Sequence, residues 1–232
     1  MELGGQVAIV TGASSGIGAA TARTLAREGC AVALAARRED RLEDVADDIE
    51  GQTLVVPTDV TDEESTAAIV GETRSELGDI DVLVNSAGVA CGGPVAEADL
   101  AELRRNVRVN LEGVMNVTHA ALPGMLDTGG GDIVTVSSLS ARFPQEGGSG
   151  YTASKFGVNG FMRSLRKEMA DQQVRVTVVM PGAVVTELND WEHWDGRPMD
   201  PADVAETVAF AVSRPDHVEM TEVSVDTTDR ID

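Results

Sequence analysis

Lysine is nearly absent from this chain. Of its eighteen basic residues only Lys155 and Lys167 are lysines, and thirty-nine acidic residues bring the net charge to −21. With no basic stripe outside short arginine clusters, binding along a nucleic-acid backbone is excluded as a general role. Cysteine is equally scarce: Cys30 and Cys91 are the only two, so a disulfide framework is excluded and both read as free thiols. The histidines His119, His193 and His217 are scattered, with no second histidine or cysteine at ligand spacing, so no metal site is expected. No apolar run approaches the length that crosses a membrane, and Met1 leads almost directly into the first apolar segment, leaving no room for a signal peptide. The expectation is a soluble, cytoplasmic protein. Internal repeats, low-complexity tracts and charge blocks are also missing, which predicts one domain over residues 1–232.

The acidic surface with so little lysine admits two origins. A salt-rich cytoplasm tolerates such self-repulsion because ions screen it. A high-GC genome that prefers arginine to lysine gives a similar composition.

What the chain has in quantity is glycine, and the first cluster is placed with purpose. Val7–Val10 is a short apolar run suited to a buried parallel strand, and Gly16–Glu28 reads as the helix that follows. Between them runs Thr11-Gly12-Ala13-Ser14-Ser15-Gly16-Ile17-Gly18. Glycines there let the backbone turn tightly and approach a pyrophosphate, whose charge is met by free amides and the positive end of the helix. The Gly-x3-Gly-x-Gly spacing differs from the common Gly-x-Gly-x2-Gly fingerprint.

Further apolar strands are predicted at Ala31–Ala35, Thr53–Val56, Asp81–Val84, Ile133–Val136, Val174–Val179 and Val223–Val225. Helices are predicted over Glu39–Ile49, Asp62–Leu77, Glu97–Leu122, Gly150–Ala170 and Pro201–Ser213. This alternation implies an α/β fold: one doubly wound domain whose mainly parallel, seven-stranded sheet is covered by helices on both faces.

The chemistry concentrates at Tyr151 and Lys155. At i and i+4 they share one face of a helix, so the ammonium can sit near the phenol and favour its ionised form. A phenol with an ordinary pKa of about 10 then becomes usable as an acid or base near neutrality. Ser138, thirteen residues upstream, offers a hydroxyl that can hold the same reacting oxygen.

Taken in order, Thr11-Gly12-x3-Gly16-x-Gly18, Asn85-Ser86-Ala87-Gly88, Asn110, Ser138, Tyr151-x3-Lys155 and Pro181-Gly182 followed by Thr186 resemble the motif set of the short-chain dehydrogenases/reductases, over nearly the whole chain. One departure is Ser86, where two asparagines commonly precede the alanine. The resemblance implies a Rossmann-type fold and an oxidoreductase that moves a hydride between a nicotinamide cofactor and a small carbonyl or secondary alcohol. It implies Tyr151 as the proton donor or acceptor, Ser138 as the hydrogen bond to the substrate oxygen, and Lys155 as a ligand of the nicotinamide ribose. Asn110 would hold a water in a proton relay. Around the cofactor it implies Gly12, Ser14, Ser15, Gly16, Ile17 and Gly18 at the phosphates, and Asp59 and Val60 at the adenine. Asn85, Ala87, Gly88, Pro181, Gly182, Val184 and Thr186 fall near the nicotinamide, with Thr186 holding the carboxamide. The short segment after Thr186 is similar to compact NADP-dependent hydroxy-acid and aldehyde reductases.

Cofactor choice is read at the end of the second strand, where an acid suits the ribose hydroxyl of NAD and an arginine the 2′-phosphate of NADP. Ala35-Ala36-Arg37-Arg38 offers no carboxylate there. NADP(H) is therefore expected, chiefly through Arg37, with help from Ser14 or Arg38.

The substrate is expected between the nicotinamide, the Ala90–Pro94 loop, the Leu139–Gly150 stretch and Glu187–Met199. Arg142 and Gln145 are candidates for a polar or acidic substrate group. Trp191 and Trp194 stand in a chain with seven aromatics, as an apolar lid or as a subunit contact. Gly157, Gly160 and Phe161 leave room for a partner helix, and relatives usually pair it, so a homotetramer is expected, with a dimer as second choice. Two other readings stay open: a non-catalytic NADP-binding scaffold or regulator, and a ketoacyl reductase docking an acyl carrier through Arg104, Arg105 and Arg108.

Overall fold

The short apolar runs become strands because each lies between two covering layers and needs no polar face. The computed structural model describes residues 3–188 and 195–229. In chain order the elements are β1 (Val7–Thr11), α1 (Gly16–Arg27), β2 (Ala31–Ala36), α2 (Glu39–Asp47), β3 (Thr53–Pro57), α3 (Glu63–Glu76), β4 (Val82–Asn85), α4 (Leu100–Val107), α5 (Gly113–Asp127), β5 (Gly131–Val136), α6 (Ser149–Glu168), β6 (Val174–Pro181), α7 (Pro201–Val212) and β7 (Glu222–Val225). The strands form one sheet in the order β3-β2-β1-β4-β5-β6-β7, every neighbouring pair parallel. This is the doubly wound, Rossmann-type α/β architecture, parallel throughout where a mainly parallel sheet was expected.

Alternation along each strand feeds two apolar layers. Ala8 and Val10 of β1 pack with Leu25 of α1, Leu42 of α2 and Val204 and Val208 of α7. Ile9, between them, faces the opposite layer with Ile69 of α3, Val117 and Met125 of α5 and Met162 and Leu165 of α6. Most of these side chains are fully buried, each worth about 1.5–3 kcal/mol relative to exposure. From the β3 edge the chain crosses to the far side of β1 to form β4, so the connections leaving β1 and β4 diverge. A crevice opens at their carboxyl ends, where ligands of such sheets bind.

The long helix differs from expectation. It starts at Leu100 and not Glu97, because Glu97 and Ala98 donate to Pro94 O in a preceding turn and Asp99 caps the helix through Ala101 N at 2.8 Å. It continues past Leu122 to Asp127 and is interrupted by a π turn, Arg108–Glu112, that carries Asn110. Such turns hold one residue more than a regular helix and recur at functional sites. Among the described residues, no helix is long and apolar enough to cross a membrane.

Candidate active site

The glycine turn is shaped by backbone contacts that side chains would block. Gly12 has φ +68°, and a Cβ there would lie 2.8 Å from Ala87 Cα and 2.9 Å from Ser86 O. A Cβ on Gly18 would strike the carbonyl of Gly12. Thr11 ties the two walls together, its Oγ1 accepting from Ser86 N at 3.0 Å and Ala87 N at 3.1 Å. Ser15 stands at the N-cap of α1 without capping it through its side chain. The first amides of α1 thus keep their capacity to meet an anion.

These walls enclose a cleft of about 850 Å³ that runs to the carboxyl ends of β4, β5 and β6. At its inner end the structure brings together Ser138, Tyr151 and Lys155. Ser138 follows β5 and hydrogen-bonds the Tyr151 hydroxyl, while its Oγ accepts from Ser140 N at 3.1 Å. Its neighbour Ser137 turns into the core and donates to Asn159 Oδ1 at 2.6 Å. With the Ser137 hydroxyl taken up by Asn159, the Ser138 hydroxyl is the one beside the Tyr151 phenol.

Tyr151 and Lys155 sit on the first turns of α6. Lys155 Nζ lies 5.7 Å from the Tyr151 ring centroid and donates to Val136 O at 3.0 Å. The lowered phenol pKa expected from this lysine is not what the geometry produces. Burial pushes the Tyr151 phenol up, and the Ser138 hydrogen bond only partly opposes it. Burial likewise pushes the Lys155 ammonium down to about 8. Both shifts follow from taking charge out of water.

Asn110 lies beneath the cleft and does not line it. Its Nδ2 donates to Val89 O and Ser154 Oγ, each at 2.9 Å, and its Oδ1 accepts from Val89 N at 2.8 Å. Ser154 Oγ in turn donates to Tyr151 O at 2.6 Å. The amide therefore clamps the π turn to the β4 loop and to α6, and both its donors are used. Asn85 is also below the surface of the cleft, donating to Thr118 Oγ1 at 3.2 Å and Thr135 Oγ1 at 3.4 Å. Ala87, Gly88, Pro181, Gly182, Val184 and Thr186 do line the cleft, as do Ser14, Ser15, Gly16 and Ile17 at the glycine turn.

At the outer end, Asp59 and Val60 form the floor. Burial raises the Asp59 carboxyl, but two Thr61 hydrogen bonds outweigh it, and with Arg37 and Arg108 they hold it below its ordinary range. Arg37 lines the cleft and is exposed. It is Arg38 that bonds the glycine turn, its Nη2 donating to Ser14 Oγ and Ser15 Oγ at 3.0 Å each.

Two features escaped sequence reasoning. Arg104, Arg105 and Arg108, expected as a docking surface for an acyl carrier, line this cleft; Arg108 lies three and four residues after the other two, a neighbourhood readable in their spacing. Glu187 reaches Arg38 from the other wall, which no local pattern announces. Conversely, Arg142 is committed elsewhere: it pairs with Glu222 at 2.6 Å, and Arg163 joins the same carboxylate. Cys30 is buried, its thiol pushed up to about 11 chiefly by burial, and Cys91 is partly exposed. No group of three or more His, Cys, Asp and Glu among the described residues could hold a metal ion. Trp191, His193 and Trp194 fall outside the described residues.

A glycine turn at a switch-point crevice, ending at a serine, a tyrosine and a lysine, defines the class of dinucleotide-fold oxidoreductases. The short chain dehydrogenase family model matches residues 6–195, and the chain belongs to that family. It is 40% identical over 230 residues to an uncharacterized oxidoreductase of Staphylococcus saprophyticus, covering 97% of this chain and 98% of that one. Its fold is similar to the 3-ketoacyl-(acyl-carrier-protein) reductase from Brucella melitensis complexed with NADH (TM-score 0.92, 30% identity, 99% of this chain and 100% of the other). It is also similar to an alcohol dehydrogenase from the archaeon Thermococcus sibiricus complexed with 5-hydroxy-NADP (TM-score 0.88, 30% identity, 98% of each chain).

Proposed function

We propose that this chain is an NADP(H)-dependent reductase of a small carbonyl compound, with Tyr151 as its general acid and base. The observation that carries the reading is that Ser138, Tyr151 and Lys155 line one end of the cleft whose other end is the glycine turn and the Arg37–Arg38 corner.

The residues suit a dinucleotide. Side chains at Gly12 or Gly18 would collide with neighbouring backbone, so a pyrophosphate could approach the amides of the turn and of α1 closely. Arg38, Ser14 and Ser15 supply the donors that a 2′-phosphate needs. Asp59 and Val60 would border the adenine, and Lys155 and Thr186 the nicotinamide half. When bound, the nicotinamide supplies or accepts the hydride.

The chain's own part is the proton. With its phenol raised by burial, Tyr151 keeps its proton at neutral pH and is set to donate it to a carbonyl oxygen as that oxygen gains charge. Ser138 donates a second hydrogen bond to the same oxygen. Lys155, bound to Val136 O with its Nζ 5.7 Å from the Tyr151 ring centroid, keeps a positive charge near the tyrosinate that forms when the proton leaves. Asn110 holds α6 and the β4 loop in register, which fixes the tyrosine's position.

A second reading, reduction of an acyl group on an acidic carrier, is favoured by the α4 arginines at the cleft wall and opposed by the charge of −21. Assaying free carbonyls against acyl thioesters, with NADPH and NADH, tests both. Turnover of free carbonyls with NADPH supports the proposal, and turnover of thioesters alone replaces it with the second reading.

A further inference from the structure

The end of β2 has no carboxylate, yet the fold returns one to it from across the cleft. Glu187 follows Thr186 in the β6–α7 connection, and its Oε2 lies 3.0 Å from Arg38 Nη1. The other arm of Arg38 is the one held by Ser14 and Ser15. Arg38, opposed by burial and assisted by Ser15 and Arg41, holds the Glu187 carboxyl below its ordinary range. Beside the pair opens a smaller cavity of about 420 Å³, lined among others by Ser14, Ser15, Arg41 and Glu187. The Arg38 guanidinium, held by Ser14 and Ser15, thus meets one anion, and the anion belongs to the protein.

As a stabilising contact the pair counts for little, since its side chains are 45% and 55% exposed. Its place is what matters. Resting on the dinucleotide reading above, we propose that Glu187 is a specificity-determining residue that reads the ribose 2′ position in opposition to Arg38. A 2′-hydroxyl can donate to the Glu187 carboxylate, the bond that an acid at the end of the second strand makes to NAD in related folds. A 2′-phosphate can only accept, so it must displace a like charge from Arg38 or share the guanidinium with it. Discrimination is therefore set by one residue on each wall of the cleft, and the arginines of the β2 turn alone overstate the preference for NADP(H).

The test is equilibrium binding of NADP+ and NAD+ to the purified full chain and to Glu187→Gln, by calorimetry, with circular dichroism to verify that the variant is folded. Removing the carboxylate charge from a partly exposed site should tighten NADP+ by roughly three- to tenfold and weaken NAD+ by about two- to threefold, the amide oxygen being the poorer acceptor for its 2′-hydroxyl. If both dinucleotides shift by the same factor, or neither moves, Glu187 does not read the 2′ position and the proposal is overturned while the dinucleotide reading stands. If the unaltered chain binds neither dinucleotide, both fall together.

Discussion

Replacing Lys155 by methionine should stop turnover and yet strengthen the fold at neutral pH. Burial moves the ammonium from 10.5 to about 8, and at about 1.4 kcal/mol per unit this is a penalty of roughly 3 kcal/mol. Methionine removes the charge but leaves Val136 O without its donor, a loss of about 1–3 kcal/mol. The net gain at pH 7 is then about 0–2 kcal/mol, raised slightly by the buried thioether. The pH dependence is the sharper signature. Because the folded pKa lies below the unfolded one, the unfolded chain holds the extra proton between about pH 8 and 10.5, and the wild type gains stability across that window as pH rises. The advantage of Lys155→Met is therefore largest below pH 8 and should shrink by about 2–3 kcal/mol between pH 7 and pH 10. Urea unfolding of both proteins at matched concentration over that range measures the gap directly. A variant less stable than wild type at pH 7, with a gap that does not change toward pH 10, would refute the assignment of a buried, depressed ammonium.

Tyr151→Phe should lower carbonyl reduction by roughly a hundred- to ten-thousandfold, the usual range for losing a positioned acid, with dinucleotide binding nearly intact; robust turnover by the purified variant would sink the mechanism. Arg38→Ala should weaken NADP+ by about one to two decades and leave NAD+ little changed, as for one charge-assisted hydrogen-bonded contact, with a smaller effect from Arg37→Ala. Equal effects on both dinucleotides in either titration would overturn the reading of this corner. Raising KCl from about 0.1 M to 1 M shortens the Debye length from about 10 Å to about 3 Å, so a chain of charge −21 should melt higher in salt. A flat or falling melting temperature would point to an ordinary acidic protein. Light scattering in high-salt buffer should find a tetramer or, failing that, a dimer through the α5 and α6 faces that expose Met115 and Phe156; monomer alone would contradict this.

Much of the architecture was legible because it rests on local signals. Apolar runs of four to eight residues between helical stretches mark β1 to β7, and strand boundaries moved by one or two residues only. Ser138, Tyr151 and Lys155 were legible for a different reason: their spacing is chemistry, since the tyrosine and lysine must share a helix face. What stayed hidden depends on contacts between distant segments. The π turn exists where the Asn110 amide is locked to Val89 and Ser154, and no pattern within 108–112 announces that lock. Glu187 meets Arg38 only after the sheet has brought the ends of β2 and β6 to one crevice. The upward shift of the Tyr151 phenol also stays hidden, because adjacency to Lys155 is visible in sequence whereas the depth of burial is not.

The π turn also makes the length of its helix a quantity under constraint, apart from its composition. Arg108–Glu112 carry one residue more than a regular helix would use. Deleting one of them would close the turn into an ordinary helix, and because the turn absorbs its extra residue locally, Leu100–Val107 and Gly113–Asp127 would keep the faces they present. The apolar face of α5 that packs through Val117 and Met125 would stay in the core, while the Asn110 amide would lose its place against Val89 and Ser154. A single-codon deletion at 108–112 is therefore expected to spare the fold and remove the site, whereas the same deletion within Gly113–Asp127 would turn every later residue of that helix by about 100° and cost the fold.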